Sequence, residues 1–124
     1  MPNTLPSAEL QILKAQFFKA LSHPIRIRLL DALLAGESSV QDLQKALDID
    51  QPIVSQQLAR LRASGIVVTR KAGTATLYAA TDPLLRDLLN VARQILNRRL
   101  TGVQSLLREL ASERAPRRRP RTRS

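Results

Sequence analysis

Residues 39–80 read SVQDLQKALDIDQPIVSQQLARLRASGIVVTRKAGTATLYAA, and their pattern decides the fold. The stretch opens on Ser39 with Asp42 three residues on, the spacing of a capping box at a helix start. A short helix follows with Val40, Leu43 and Leu47 on its inner face, and it stops near Asp48. Asp50 then stands as the cap of another helix, residues 51–64, which has Pro52 in its first turn and ends at Gly65. Val54, Leu58 and Leu61 lie within about a quarter turn of one another on it and face inward. The opposite side holds Pro52, Gln56, Ala59 and Arg60, with Ile53 and Ser55 flanking, while Arg62 falls nearer the core. Two helices joined by the tight turn Asp48-Ile49-Asp50 are a helix-turn-helix. Residues 67–80 carry β-branched side chains on both sides of Ala72-Gly73-Thr74, which predicts a hairpin, a wing, directly after it.

Upstream, AELQILKAQFFKAL (8–21) places Leu10, Leu13, Phe17 and Leu21 at helical steps, with Ser7 available as the cap. Phe17 and Phe18 are read as core residues. Ser22-His23-Pro24 interrupts this helix, and His23 reads as a capping or packing residue. Pro24 suits the first turn of the next helix, where its missing N–H costs nothing. That helix buries Ile25, Leu29, Leu30, Leu33 and Leu34 and ends at Gly36. Downstream, Asp82 and Pro83 start a helix reaching about residue 112, striped by Leu85, Leu88, Ala92, Ile95, Val103, Leu106 and Leu110. At 1.5 Å per residue it is about 45 Å long, more than a small domain needs, so a partner chain is expected to cover part of it. The expected fold is mainly α with a small β-ribbon, a winged helix-turn-helix in the order α-α-α-α-β-β-α. It spans residues 7–112, between a short tail (1–6) and a disordered Arg-rich tail (113–124).

Composition narrows the chemistry. The 124 residues are 44% hydrophobic but only 2% aromatic, so the core is aliphatic. With no cysteine and only His23, thiolate metal sites, thiol redox switches and Cys nucleophiles are excluded, and nothing supplies a general base. No enzyme, cofactor or metal is expected. No apolar run approaches a membrane span and no signal peptide opens the chain, so a cytoplasmic protein is expected. The net charge is +10, and it is uneven. Residues 114–124 hold six arginines and no acid, and residues 51–81 hold Arg60, Arg62, Arg70 and Lys71 and again no acid. Such an acid-free window points to a polyanionic partner.

The motif gives that partner a geometry. The major groove of DNA is about 12 Å wide and admits one helix, while the preceding helix braces on the backbone. Gln56 and Arg60 are one turn apart on the outward face and enter together, glutamine suiting adenine and arginine guanine. Ser55 and the helix start at Gln51 and Pro52 suit phosphate oxygens. Arg70, Lys71 and Thr74 on the ribbon reach an adjacent backbone or minor groove. One recognition helix makes few base contacts, and a two-fold dimer doubles them across half-sites about one turn apart. RNA recognition stacks bases on aromatics, and Phe17, Phe18 and Tyr78 are the only ones present. The alternative is a winged-helix interaction module whose protein partner senses the signal.

The segments FFKALSHPIRIRLLDALLAG (17–36), 39–80 and the long final helix together resemble the ArsR/SmtB family of bacterial winged-helix regulators, over roughly residues 13–100. SQQLARLRASGIV (55–67) is the most diagnostic part. The resemblance implies a homodimer joined through its first and last helices and bound to an inverted-repeat operator of double-stranded DNA. Leu10, Leu13 and Phe17 on the first helix, and Leu85, Leu88, Ala92, Ile95 and Leu96 on the last, are the seam that this implies. Many members are repressors released by a metal ion or another inducer. This chain departs from the sensing motifs. Where the thiolate-sensing branch reads E-L-C-V-C-D-L, residues 37–43 are ESSVQDL, with Ser39 and Gln41 at the cysteine positions. The zinc-sensing branch carries Asp and His pairs on the last helix, and here that helix has Asp87, Glu109 and Glu113 but no histidine.

Overall fold

The structure, a computed structural model, describes residues 6–114. The order of elements is α1 (Ser7–Leu21), α2 (Pro24–Ala35), α3 (Val40–Leu47), α4 (Gln51–Ala63), β1 (Val68–Ala72), β2 (Ala75–Ala79) and α5 (Pro83–Arg114). The expected order is therefore present, with boundaries within a residue or two. Glu113 and Arg114, expected in the disordered tail, belong to α5, and the rest of that expectation, residues 115–124, lies outside the described residues. The chain divides into two units, one through Arg86 and one from Asp87 onward.

Local chemistry sets the helix ends of the first unit. Ser39 caps α3 by accepting from the Asp42 N–H at 3.1 Å, and Pro24 occupies the first turn of α2 while His23 Nδ1 accepts from the Ile25 N–H at 3.0 Å. Two expected caps are absent. Pro6, not Ser7, stands at the cap position of α1. Asp50 stands before α4, but its side chain makes no capping hydrogen bond there, and its carbonyl takes the Ile53 and Val54 N–H groups, each at 3.1 Å. The turn of the helix-turn-helix is made by Asp48, which is left-handed at φ 54° and ψ 51°. Aspartate tolerates that region better than most residues. The Asp48 and Ile49 N–H groups both reach the Gln44 carbonyl, which tucks Ile49 into the core.

The core lies where α2, α3 and the inner side of α4 meet. Leu29, Leu30, Val54, Leu58 and Leu61 are all 0% exposed. Val40, Leu47, Ile25 and Leu34 are half-buried at its edge. Two sequence expectations fail here. Phe17 and Phe18 are 38% and 54% exposed and meet edge-to-face on the surface of α1, outside the core. Leu85 is only 6% exposed, so it completes the core of the chain itself and has almost no surface left for a partner.

β1 and β2 form one antiparallel hairpin, with Ala72 opposite Ala75 and Val68 opposite Ala79. Its two-residue loop is Gly73-Thr74, with Gly73 at φ 65°. A positive φ at the first loop position is what a type II′ hairpin turn requires, and glycine adopts it without strain. A bridge fastens the ribbon to the rest of the unit: Ser38 and Tyr78 exchange both backbone hydrogen bonds, at 3.0 and 2.8 Å.

Three arginines hold helix ends, which no sequence pattern signalled. Arg26 donates to the Ala20 carbonyl at the end of α1 (2.7 Å). Arg28 donates to Leu47 at the end of α3 (2.8 Å), and Arg86 donates to Leu34 at the end of α2. The last carbonyls of a helix lack partners within it and carry the negative end of its dipole, so a guanidinium satisfies both needs.

In the second unit α5 continues as a helix in which every side chain from Asn90 to Glu113 is exposed. Ile95 is 52% exposed and Leu96 54%, with Val91, Leu100, Val103, Leu106, Leu107 and Leu110 similarly open. Among the described residues no helix is long and apolar enough to cross a membrane.

Candidate nucleic-acid interface

The two sides of α4 are chemically opposite. Val54, Leu58 and Leu61 fix the helix in the core, and Gln51, Pro52, Gln56, Ala59 and Arg60 stand exposed on its outside. Ser55 is half-buried beside them. The expected split between outward-facing and core-facing residues is thus the observed one. Arg62 departs from it, because its side chain is exposed although its position on the wheel leans inward. Gln57 also departs: it is buried, and its Oε1 has no hydrogen-bond partner among the described residues.

The start of α4 has fewer phosphate donors than an ordinary helix N-terminus. Pro52 has no N–H, and the Ile53 N–H is already given to the Asp50 carbonyl. What this end offers an anion is therefore the Gln51 and Ser55 side chains more than the backbone.

On the ribbon, Lys71 and Thr74 are exposed at and beside the tip. Arg70 is exposed as well, but its guanidinium is engaged by Glu37, with Nε to Oε2 at 2.9 Å and Nη2 to Oε1 at 2.5 Å. That geometry is bidentate, the strongest form of carboxylate pairing. The hydrogen bonds from Arg70 hold the Glu37 carboxyl below the ordinary carboxylate range, and Glu37 in turn raises Arg70. Among the described residues this is the only ion pair. Sequence reasoning assigned Arg70 to DNA and missed Glu37, because the pairing spans 33 residues and follows no periodic spacing.

The residues expected at a dimer seam fall into two sets. Leu10, Leu13 and Phe17 are open on α1 in the first unit, where only Leu21 of that helix is buried. Ala92, Ile95 and Leu96 are open on α5, and Leu88 is half-buried near its start. Leu85 drops out as a core residue. Among the described residues no group of three or more histidine, cysteine, aspartate or glutamate side chains is placed to hold a metal ion.

This geometry has close counterparts in known proteins. Residues 23–69 match the family described as "Bacterial regulatory protein, arsR family". The HTH-type transcriptional regulator Rv0081 of Mycobacterium tuberculosis is 39% identical over 107 residues, covering 86% of this chain and 94% of that protein. Its crystal structure superposes with a TM-score of 0.69 at 40% identity, over 80% of this chain and 97% of the other. The biofilm growth-associated repressor of Xylella fastidiosa is 43% identical over 76 residues, 61% of this chain and 67% of that one. The homodimeric winged helix-turn-helix domain of Mb0332 from Mycobacterium bovis superposes with a TM-score of 0.66 at 26% identity, over 78% of this chain and 91% of the other. The chain belongs to the arsR family of bacterial regulatory proteins and is a DNA-binding transcriptional regulator with the winged helix-turn-helix fold.

Proposed function

We propose that the protein is a cytoplasmic homodimeric repressor that binds an inverted-repeat operator, with one α4 in each major-groove half-site and the ribbon on the neighbouring backbone or minor groove. The observation that carries this is the outer side of α4, where Gln51, Gln56 and Arg60 stand exposed on a helix locked from behind by fully buried Val54, Leu58 and Leu61. A rigid helix with a polar, acid-free outer side is suited to reading base edges. The Xylella relative is a repressor by name, and the Mb0332 domain is homodimeric. The open apolar side chains of α1 and of α5 give a second copy something to cover. Within this dimer Leu10, Leu13, Phe17, Leu88, Ala92, Ile95 and Leu96 are the seam. A symmetric duplex and its half-scrambled version test the arrangement. Two helices bound together require loss of most of the affinity when one half-site is scrambled, and equal affinity for both duplexes would overturn it.

A further inference from the structure

The far half of α5, in the second unit, follows a seven-residue repeat. Leu100, Val103, Leu107 and Leu110 alternate steps of three and four, and each is between 42% and 58% exposed. That spacing keeps one apolar edge against a second helix along a coiled coil. The seam proposed above ends at Leu96, so these side chains lie beyond it. Arg99, Leu106 and Glu113 recur at seven-residue steps along one flank of the edge, and all three are exposed. Flanking charges of this kind choose the partner and its direction.

Here they fit a second copy of the same helix running the opposite way. In an antiparallel pair of identical helices this flank meets itself across the two-fold axis. With Ser105 beside the partner's Ser105, Leu100 packs on the partner's Leu110 and Val103 on the partner's Leu107. Arg99 then faces the partner's Glu113, once on each side of the axis, and Leu106 meets the partner's Leu106. Sliding the pair one heptad toward the start of α5 sets Arg93 against the partner's Leu110 and Arg99 against the partner's Leu106, and neither arginine meets an acid. The opposite slide carries Leu100 past the end of the partner's α5. A parallel pair places Arg99 beside the partner's Gln104 and brings no opposite charges together.

We infer that residues 100–110 are a contact between copies of this chain, made by two α5 helices running antiparallel about Ser105. In that register the Leu88 positions of the two helices lie about 50 Å apart along the axis, at 1.5 Å per residue. The stretches from Leu88 to Leu96 of these two helices therefore cannot meet, and the contact joins one dimer to another. That step rests on the dimer proposed above, whereas the antiparallel contact does not. Two joined dimers carry four copies of α4, so one assembly engages two operators, and binding of the second becomes intramolecular.

Sedimentation velocity of the full-length protein without DNA, over a range of concentrations, tests the contact. The paired stretch is short, so tetramers should form toward about 100 µM and give way to dimers near about 1 µM. Arg99→Glu sets two pairs of like charges across the axis, and so does Glu113→Arg. Each should weaken the tetramer about tenfold with an unchanged circular dichroism spectrum, since both positions are exposed. The Arg99→Glu, Glu113→Arg double variant exchanges the charges and should recover the association of the wild type. Dimers at every concentration would overturn the inference, and so would tetramers indifferent to Arg99→Glu. A double variant no better than the single ones would overturn the antiparallel register. Monomers from Arg99→Glu near 1 µM would overturn the joining of dimers, because the stretch would then be the dimer's own seam. Tetramers that bind no operator would instead contradict the function proposed above and leave the contact standing.

Discussion

Arg70 on β1 grips Glu37 in the loop between α2 and α3 through two hydrogen bonds, at 2.9 and 2.5 Å, one residue away from the Ser38–Tyr78 bridge. The ribbon is thus tied at two adjacent points to the segment that leads into the helix-turn-helix, and the angle at which it leaves α4 is held by both. The same pairing masks the charge that the ribbon would offer to a phosphate. Contact between Arg70 and DNA requires exchange of one anionic partner for another.

Glu37→Gln removes the competing carboxylate and should tighten binding a few-fold on operator and scrambled duplex alike, because a phosphate contact carries no sequence information. Anisotropy titrations of both duplexes check this. A loss of affinity would show that orientation of the ribbon by Glu37 matters more than release of Arg70.

The same pair has a signed pH dependence. Its folded-state carboxyl is held below the ordinary range, so its contribution is fully present above the ordinary glutamate pKa of about 4.3 and is lost as pH falls through the lowered value. Thermal melts of the wild type and Glu37→Gln should differ slightly at neutral pH and converge in acid. The difference stays small because the pair is exposed to solvent. A gap that widened in acid would contradict the assignment.

Gln56→Ala and Arg60→Ala should each cost about 1–3 kcal/mol of discrimination between correct and incorrect bases. Both residues are exposed, so stability should move by less than about 0.5 kcal/mol. Leu58→Ala, one helical position behind Gln57 and 0% exposed, should instead destabilise by about 2–5 kcal/mol. Urea melts beside binding curves separate the two behaviours.

Ile95→Glu should give monomers that bind operator poorly, since Ile95 is 52% exposed and a charge at this position of the proposed seam disrupts pairing without entering the core. Leu85→Ala should do the reverse, lowering the melting temperature while sedimentation still shows dimers. Monomers from Leu85→Ala with an unchanged melt would return that residue to the seam.

Residues 115–124 hold five arginines, and their deletion should weaken binding equally on all sequences. If each arginine meets a phosphate, the slope of affinity against salt should flatten by up to about 4–5. An unchanged slope would exclude an electrostatic arm.

Much of this fold is written in short-range pattern. The inward triplet of α4, the left-handed turn at Asp48 and the glycine at the hairpin tip all follow from residues fewer than eight positions apart, where periodicity and turn preference operate. The outer side of α4 was legible for the same reason. Side-chain pairings across long separations were not. Arg70 with Glu37, Arg28 with Leu47 and Arg86 with Leu34 depend on where elements meet, and an arginine on a wheel looks the same whether it ends on a carbonyl or a phosphate. Phe17, Phe18 and Leu85 were misassigned through one related cause. An apolar stripe says that a side chain wants cover, but not whether its own chain supplies it.

The measurement that bears most directly on the central claim is an anisotropy titration of the full-length protein against DNA from upstream of its own gene, with a scrambled duplex beside it at about 150 mM salt. The expected result is a preference for the native duplex of about a thousandfold or more, abolished in the Gln56→Ala, Arg60→Ala double variant. Equal, weak and salt-sensitive binding to both duplexes would contradict sequence recognition through the outer side of α4.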